Sequence, residues 1–348
     1  MNRRRCLKVL GYGLFVTAMA VFCVCFSDRG EKEDDSLRIA SFQVLQQGEE
    51  ISAVCFDKER VWVGGNDGIR LYDPVTRKVM QTVDGVEMIY SAGMLQTPDG
   101  SMWIGHEDGL TRIDEFGSRS EYRAPDIPKG RVNTVEWDQE AVWIGTYSGA
   151  AKLEPSENGW EVTEIRNRAA GLVSDSVNVI RSVGDTLWFA SYLDTKNGGI
   201  TIVSDRGSQT ITVEDGLVHP YVTSLLPLAD GRMLAGCGYM NTGGLAVIAG
   251  EDGVYQVTET YAKEDGLPGE KIRFLYRDAF GYLWITTEYD GIVIFNPKTS
   301  KSLYFTEEHG LSDNEIKCMT ETEEAYWLGG KYGLTVIPKE EIQMRMGL

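Results

Sequence analysis

One short segment recurs seven times along the chain, and six of its copies place a tryptophan at the same point. The copies read VWVGG around Trp62, MWIGH around Trp103, VWIGT around Trp143, LWFAS around Trp188, MLAGC around Leu234, LWITT around Trp284 and YWLGG around Trp327. Successive spacings are 41, 40, 45, 46, 50 and 43 residues. Self-similarity at a period of about 45 residues means an array of like supersecondary units, none able to bury its apolar face alone. Such an array can hold all 348 residues in one domain, where length alone suggests roughly two.

The sixth unit shows the design. Residues 271–276 (KIRFLY) largely alternate polar and apolar, as a half-buried strand does. Residues 282–287 (YLWITT) are almost continuously apolar or β-branched, the pattern of a strand covered on both faces. Tyr289-Asp290-Gly291 then signals a hairpin, because Gly accepts the positive φ of a tight turn. Residues 292–295 and 302–306 supply a third strand and a more polar fourth. Asp-Gly pairs recur at Asp67, Asp99, Asp108, Asp215, Asp230, Asp252 and Asp265, nearly all where the scheme needs a turn.

Four short antiparallel strands per unit, seven times over, predict an all-β fold: a single seven-bladed β-propeller. The seventh unit lacks a fourth strand, while residues 37–45 form a surplus strand ahead of the first. This N-terminal strand is expected to complete the last blade, leaving no open sheet edge. Trp62, Trp103, Trp143, Trp188, Trp284 and Trp327 read as structural, packed between neighbouring blades and burying about 150–250 Å² each. The expected organisation is a leader over 1–27, an acidic linker over 28–36, the propeller over 37–340 and a polar tail over 341–348.

Arg3, Arg4, Arg5 and Lys8 precede 19 uncharged residues, 9–27. A basic start followed by one apolar stretch reads as an export signal or a single N-terminal anchor, with the remainder outside the cytoplasm, in the cell envelope or periplasm. Cleavage after Ala18-Met19-Ala20, lipid modification of Cys23 or Cys25, and retention as a membrane anchor all fit; a tether through the N-terminus is favoured. Removing the leader's four positive charges from the chain's −18 leaves −22 on the rest, which repels nucleic acid and anionic membrane. Cys55, Cys237 and Cys318 remain beyond the leader, far apart and odd in number, so neither a disulfide framework nor a metal site is expected. HExxH and GxSxG are absent, and no cofactor is expected.

The unit pattern resembles the two-component regulator propeller repeat. The resemblance rests on Val61-Trp62-Val63-Gly64 and Val142-Trp143-Ile144-Gly145-Thr146, on Tyr72-Asp73-Pro74 and Phe295-Asn296-Pro297, and on the pairs Gly171-Leu172, Gly216-Leu217, Gly266-Leu267 and Gly310-Leu311. It covers roughly residues 37–340. The resemblance implies an extracytoplasmic ligand-sensing propeller, in a family many of whose members respond to oligosaccharides. The large sensors generally hold two propellers followed by further domains. With seven repeats and nothing of that kind after them, this chain is expected to be a recognition module rather than a signalling protein in itself.

In a propeller, the loops joining second and third strands gather around one mouth. Tyr147, Tyr192, Tyr239, Tyr289 and Tyr332 fall there in five units, predicting an arc of phenol rings suited to stacking on sugars. Two neighbouring loops, 191–199 and 238–244, are enlarged and bring Asp194, Asn197 and Asn241 as hydrogen-bonding candidates. His219 is a further candidate, in a loop leading into an inner strand. The expected function is non-catalytic recognition of a carbohydrate-like ligand on this face. The alternative is a scaffold for an envelope protein partner, and the minor alternative a propeller lyase or glycoside hydrolase.

Overall fold

The computed structural model describes residues 38–347 apart from 87, 89–91 and 158, so the expectations for the leader and linker lie outside the described residues. Seven four-stranded antiparallel sheets follow one another around an axis. In blade six the strands are Ile272–Arg277, Leu283–Thr287, Ile292–Asn296 and Lys301–Phe305, each within a residue or so of its expected place. The middle two strands are buried throughout and the outermost is exposed or half-buried except at Phe305, in keeping with its more polar sequence.

Blade seven is closed by the N-terminal segment. Gln43–Leu45 pairs antiparallel with Gly333–Pro338, Gln43 opposite Val336 and Leu45 opposite Leu334. The strand is shorter than the expected 37–45. Residues 38–42 turn instead, and Ile39 and Phe42 both enter the core between blades six and seven. Side chains three apart on a strand would leave on opposite faces, so burying both requires the turn. Phe42 meets Phe305 edge-on at 5.3 Å, and the Ile39 N–H donates to the His309 carbonyl at 2.9 Å.

The segment expected as a polar tail differs as well: Lys339–Met346 is an α-helix. Ile342 and Met346, four residues apart and so on one helical face, are buried with Trp284 and Tyr326. Lys339 Nζ holds Glu321 at 2.5 Å and lies over the rings of Phe280 and Tyr326.

Every repeated tryptophan packs against the next blade. Trp143 meets Phe189 at 5.5 Å, Trp284 meets Tyr326 at 4.4 Å, and Trp327 packs with Ile51 and Val63 of blade one across the closure. Leu234 fills the same role beside Leu275 and Ile285. Several indole N–H groups are pinned from the turn between the first two strands: Trp62 donates to Asp57, Trp143 to Asp138 and Trp284 to Asp278, at 2.6, 2.7 and 2.9 Å. Trp103 donates to Thr97 at 3.0 Å.

The Gly two residues after the tryptophan position has a packing cause. A Cβ on Gly145 would stand 2.7 Å from Val177 Cγ1, and one on Gly236 would stand 2.6 Å from Ile272 Cγ2, both on the next blade's innermost strand. The Gly-Leu loops ahead of blades four to seven are single 3-10 turns closed by that Gly, each followed by a buried Leu.

Candidate ligand-binding mouth

A cavity of about 890 Å³ opens on the propeller axis. It is lined by the innermost strands and by the turns between second and third strands, so Tyr147, Tyr192, Tyr239 and Tyr289 of blades three to six all reach it. Tyr332 stands at the rim of blade seven, half exposed, with the neighbouring Lys331 in the lining. Four of the five expected tyrosines therefore line one opening, and Tyr332 is not among its lining residues.

They are held differently. Arg131 donates to the Tyr147 hydroxyl and stacks over its ring at 5.2 Å. Tyr192 and Tyr239 flank Tyr221 at 5.1 and 5.5 Å between centroids, and His219 meets Tyr221 at 5.0 Å. Tyr221 is buried, so it serves as the fixed centre on which the two outer rings lean. Below them Lys271, 4% exposed, places Nζ 5.6 Å from the Tyr192 ring and 5.8 Å from the Tyr239 ring, and pairs with Glu288 at 2.8 Å. Burial first, and repulsion from Arg273 second, pull the Lys271 amine below its ordinary pKa. Burial raises the phenol of Tyr192.

The other candidates separate. Asp194 accepts from Ser174 Oγ at 2.8 Å and from the N–H groups of Lys196 and Asn197, so its carboxylate organises its own loop. Those bonds hold it below the usual carboxylate range even though burial works to raise it. Asn197 accepts from Arg168 at 3.3 Å. The expected loop 238–244 is instead a ladder that continues to a tight hairpin, with Gly238 opposite Gly243 and Tyr239 opposite Thr242. Glycines there let two backbones pair closely, and Asn241 is left at the exposed tip. His219 uses Nδ1 to accept the Tyr221 N–H at 3.0 Å, and burial lowers its pKa. Among the described residues no cluster of His, Cys, Asp and Glu is arranged to hold a metal ion.

Sequence reasoning missed the floor of the mouth. The innermost strands of blades one, four, five, six and seven each carry a β-bulge, where the register skips Ser52, Asn178, Thr223, Arg273 or Lys317. An extra residue re-aims its own side chain, and all five line the cavity. Three of them latch the ring: Ser52 donates to Met88 O at 3.0 Å, Asn178 to Val222 O at 3.1 Å and Thr223 to Ile272 O at 2.6 Å. In blades six and seven the same position is a cation, Arg273 against Glu315 at 3.0 Å and Lys317 against Glu50. The alternation of 271–276 was the available signal, because its polar face turns to the channel rather than to outer solvent.

The rim is apolar where blades four and five meet. Leu193 and Met240 are 53% and 56% exposed, with φ of +62° and +50°. Bulky residues seldom adopt that left-handed backbone, and here it holds both side chains outward beside the tyrosines.

Residues 266–289, the Gly-Leu turn through the second strand of blade six, match the two component regulator propeller family. No curated protein matches the chain. The fold is similar to the extracellular domain assigned to hybrid two component system BT3049 from B. thetaiotaomicron, with TM-score 0.72 and 17% identity over 88% of this chain and 42% of that one. It is also similar to the extracellular domain assigned to one component system BT4673 from the same organism, at TM-score 0.66 and 19% identity over 85% and 40%. Virginiamycin B lyase from Staphylococcus aureus gives TM-score 0.59 and 14% identity over 85% and 97%. The chain thus spans about two fifths of the length of the B. thetaiotaomicron domains. It carries the two component regulator propeller repeat, in a seven-bladed ring whose fold those extracellular domains share.

Proposed function

We propose that this chain is a non-catalytic recognition propeller, working outside the cytoplasm, that takes a carbohydrate-like ligand at the tyrosine-lined mouth. The observation that carries the reading is the convergence of Tyr147, Tyr192, Tyr239 and Tyr289 on one cavity of about 890 Å³. Rigid phenol faces beside paired charges offer a stacking surface and hydrogen-bonding groups together, the combination a pyranose needs. The basic and apolar leader supports export, and the extracellular domains of similar fold agree with it.

A protein partner is the second reading, favoured by the exposed Leu193, Met240, Tyr289 and Tyr332 around the same rim. Thermal-shift screening against an oligosaccharide panel separates the two. At least one stabilising sugar is expected, lost in the double variant Tyr192→Ala/Tyr239→Ala. A flat screen alongside a co-purifying protein would transfer the site to the second reading.

A further inference from the structure

The bulge positions single out one sector of the mouth. Where Ser52, Asn178 and Thr223 tie one blade to the next through backbone carbonyls, Arg273 and Lys317 do so through the carboxylates of Glu315 and Glu50 and stand as cations on neighbouring blades, with Lys271 just ahead of the strand that carries Arg273. The lining holds six basic and four acidic side chains, the reverse of a chain carrying −18 overall. In an acidic protein, buried cations gathered in this cavity favour a negative ligand there. The tyrosine platform adjoins them: Lys271 Nζ lies under 6 Å from the rings of both Tyr192 and Tyr239.

Resting on the recognition reading of this mouth, we propose that the ligand is an acidic sugar. Its ring lies against Tyr192 and Tyr239, and its carboxylate or sulfate reaches Lys271 and Arg273. Glu288, Glu315 and Glu50 hold the three cations in position, Arg273 and Lys317 both lying within 4.0 Å of Glu315. Each cation thus has a carboxylate of its own, and an incoming anion competes with Glu288 and Glu315 for Lys271 and Arg273. It also relieves the repulsion between Lys271 and Arg273, which already lowers the Lys271 amine beyond the effect of its burial.

Calorimetric titration of the full chain with three probes tests this: an oligogalacturonate, a chondroitin sulfate disaccharide and a neutral cello-oligosaccharide. One or both acidic probes are expected to bind more tightly than the neutral one, and which of them does so distinguishes carboxylate from sulfate. Arg273→Gln is expected to weaken the acidic probe about tenfold or more, since a hydrogen bond to a charged group is lost. In the unmodified protein, raising salt from ~50 mM to ~500 mM is expected to weaken the same complex, a readout independent of how the variant folds. A neutral probe binding as tightly as the acidic ones, or acidic binding indifferent to both salt and Arg273→Gln, overturns the proposal while leaving sugar recognition in place. Failure of all three probes overturns both.

Discussion

Two sets of aromatic side chains circle this molecule, four or five residues apart in every hairpin that carries both, and they meet opposite fates. The indoles lie in the second strand of each blade and are almost wholly buried against the next one, Trp103, Trp284 and Trp327 at 0% exposure. The phenols sit at the end of that strand or just past it, and Tyr239, Tyr289 and Tyr332 keep 40% or more of their surface. Recurrence alone does not distinguish them, because duplication copies a ligand contact as faithfully as a packing contact. Position along the hairpin does: a residue in the middle of the ladder faces a neighbouring sheet, and one at its tip or beyond faces the opening.

The contrast is sharpest at the largest expected effect. Trp284→Ala removes a fully buried ring and leaves Asp278 without its indole donor, so a loss of about 3–5 kcal/mol is expected in denaturant unfolding. A loss below about 1 kcal/mol would mean that the blades do not depend on their indoles.

A second test reaches the same band through pH. Burial works to raise the Asp57 carboxyl, but hydrogen bonds from Trp62, Arg60 and Glu59 outweigh it and hold its pKa below the ordinary value. A carboxylate with a depressed native pKa contributes stability that is fully present above its unfolded value, about 3.9, and is lost as pH falls through the native one. Asp57→Asn is therefore expected to melt lower than the parent at neutral pH, with the gap closing under acid. Parallel melting curves across that range would remove Asp57 from the account.

The smallest effect belongs to the mouth. Tyr289→Ala is expected to change stability by no more than about 0.5 kcal/mol, since its side chain is over half exposed and lies outside the ladder. Comparing its unfolding curve with that of Trp284→Ala measures the difference between the two aromatic sets directly.

Much of the scaffold was legible because it rests on local pattern. Strand boundaries in blade six, the packing role of the indoles and the completion of blade seven by residues before the first repeat all follow from alternation, turn residues and a missing strand. Features that depend on which side chains and strands meet in space were not. Asp57, Asp138 and Asp278 look like ordinary turn aspartates until the indole they hold is seen. A bulge is set by pairing with the partner strand, so nothing in the sequence singles out Arg273 and Lys317 as the extra residues that face the channel. The helix Lys339–Met346 rests on only two spaced apolar residues, Ile342 and Met346, too few to reveal a face.

Pairing Gln43–Leu45 with Gly333–Pro338 also dictates an order of events in time. The two partners lie near opposite ends of the described chain, so this contact has the greatest loop-closure cost in the ring and is the one that nascent polypeptide supplies last. Six blades can assemble from hairpins as they emerge, whereas the seventh waits for its C-terminal hairpin. Until that hairpin arrives, the Glu50–Lys317 pair on the cavity wall cannot form, and the protein has no finished mouth to offer.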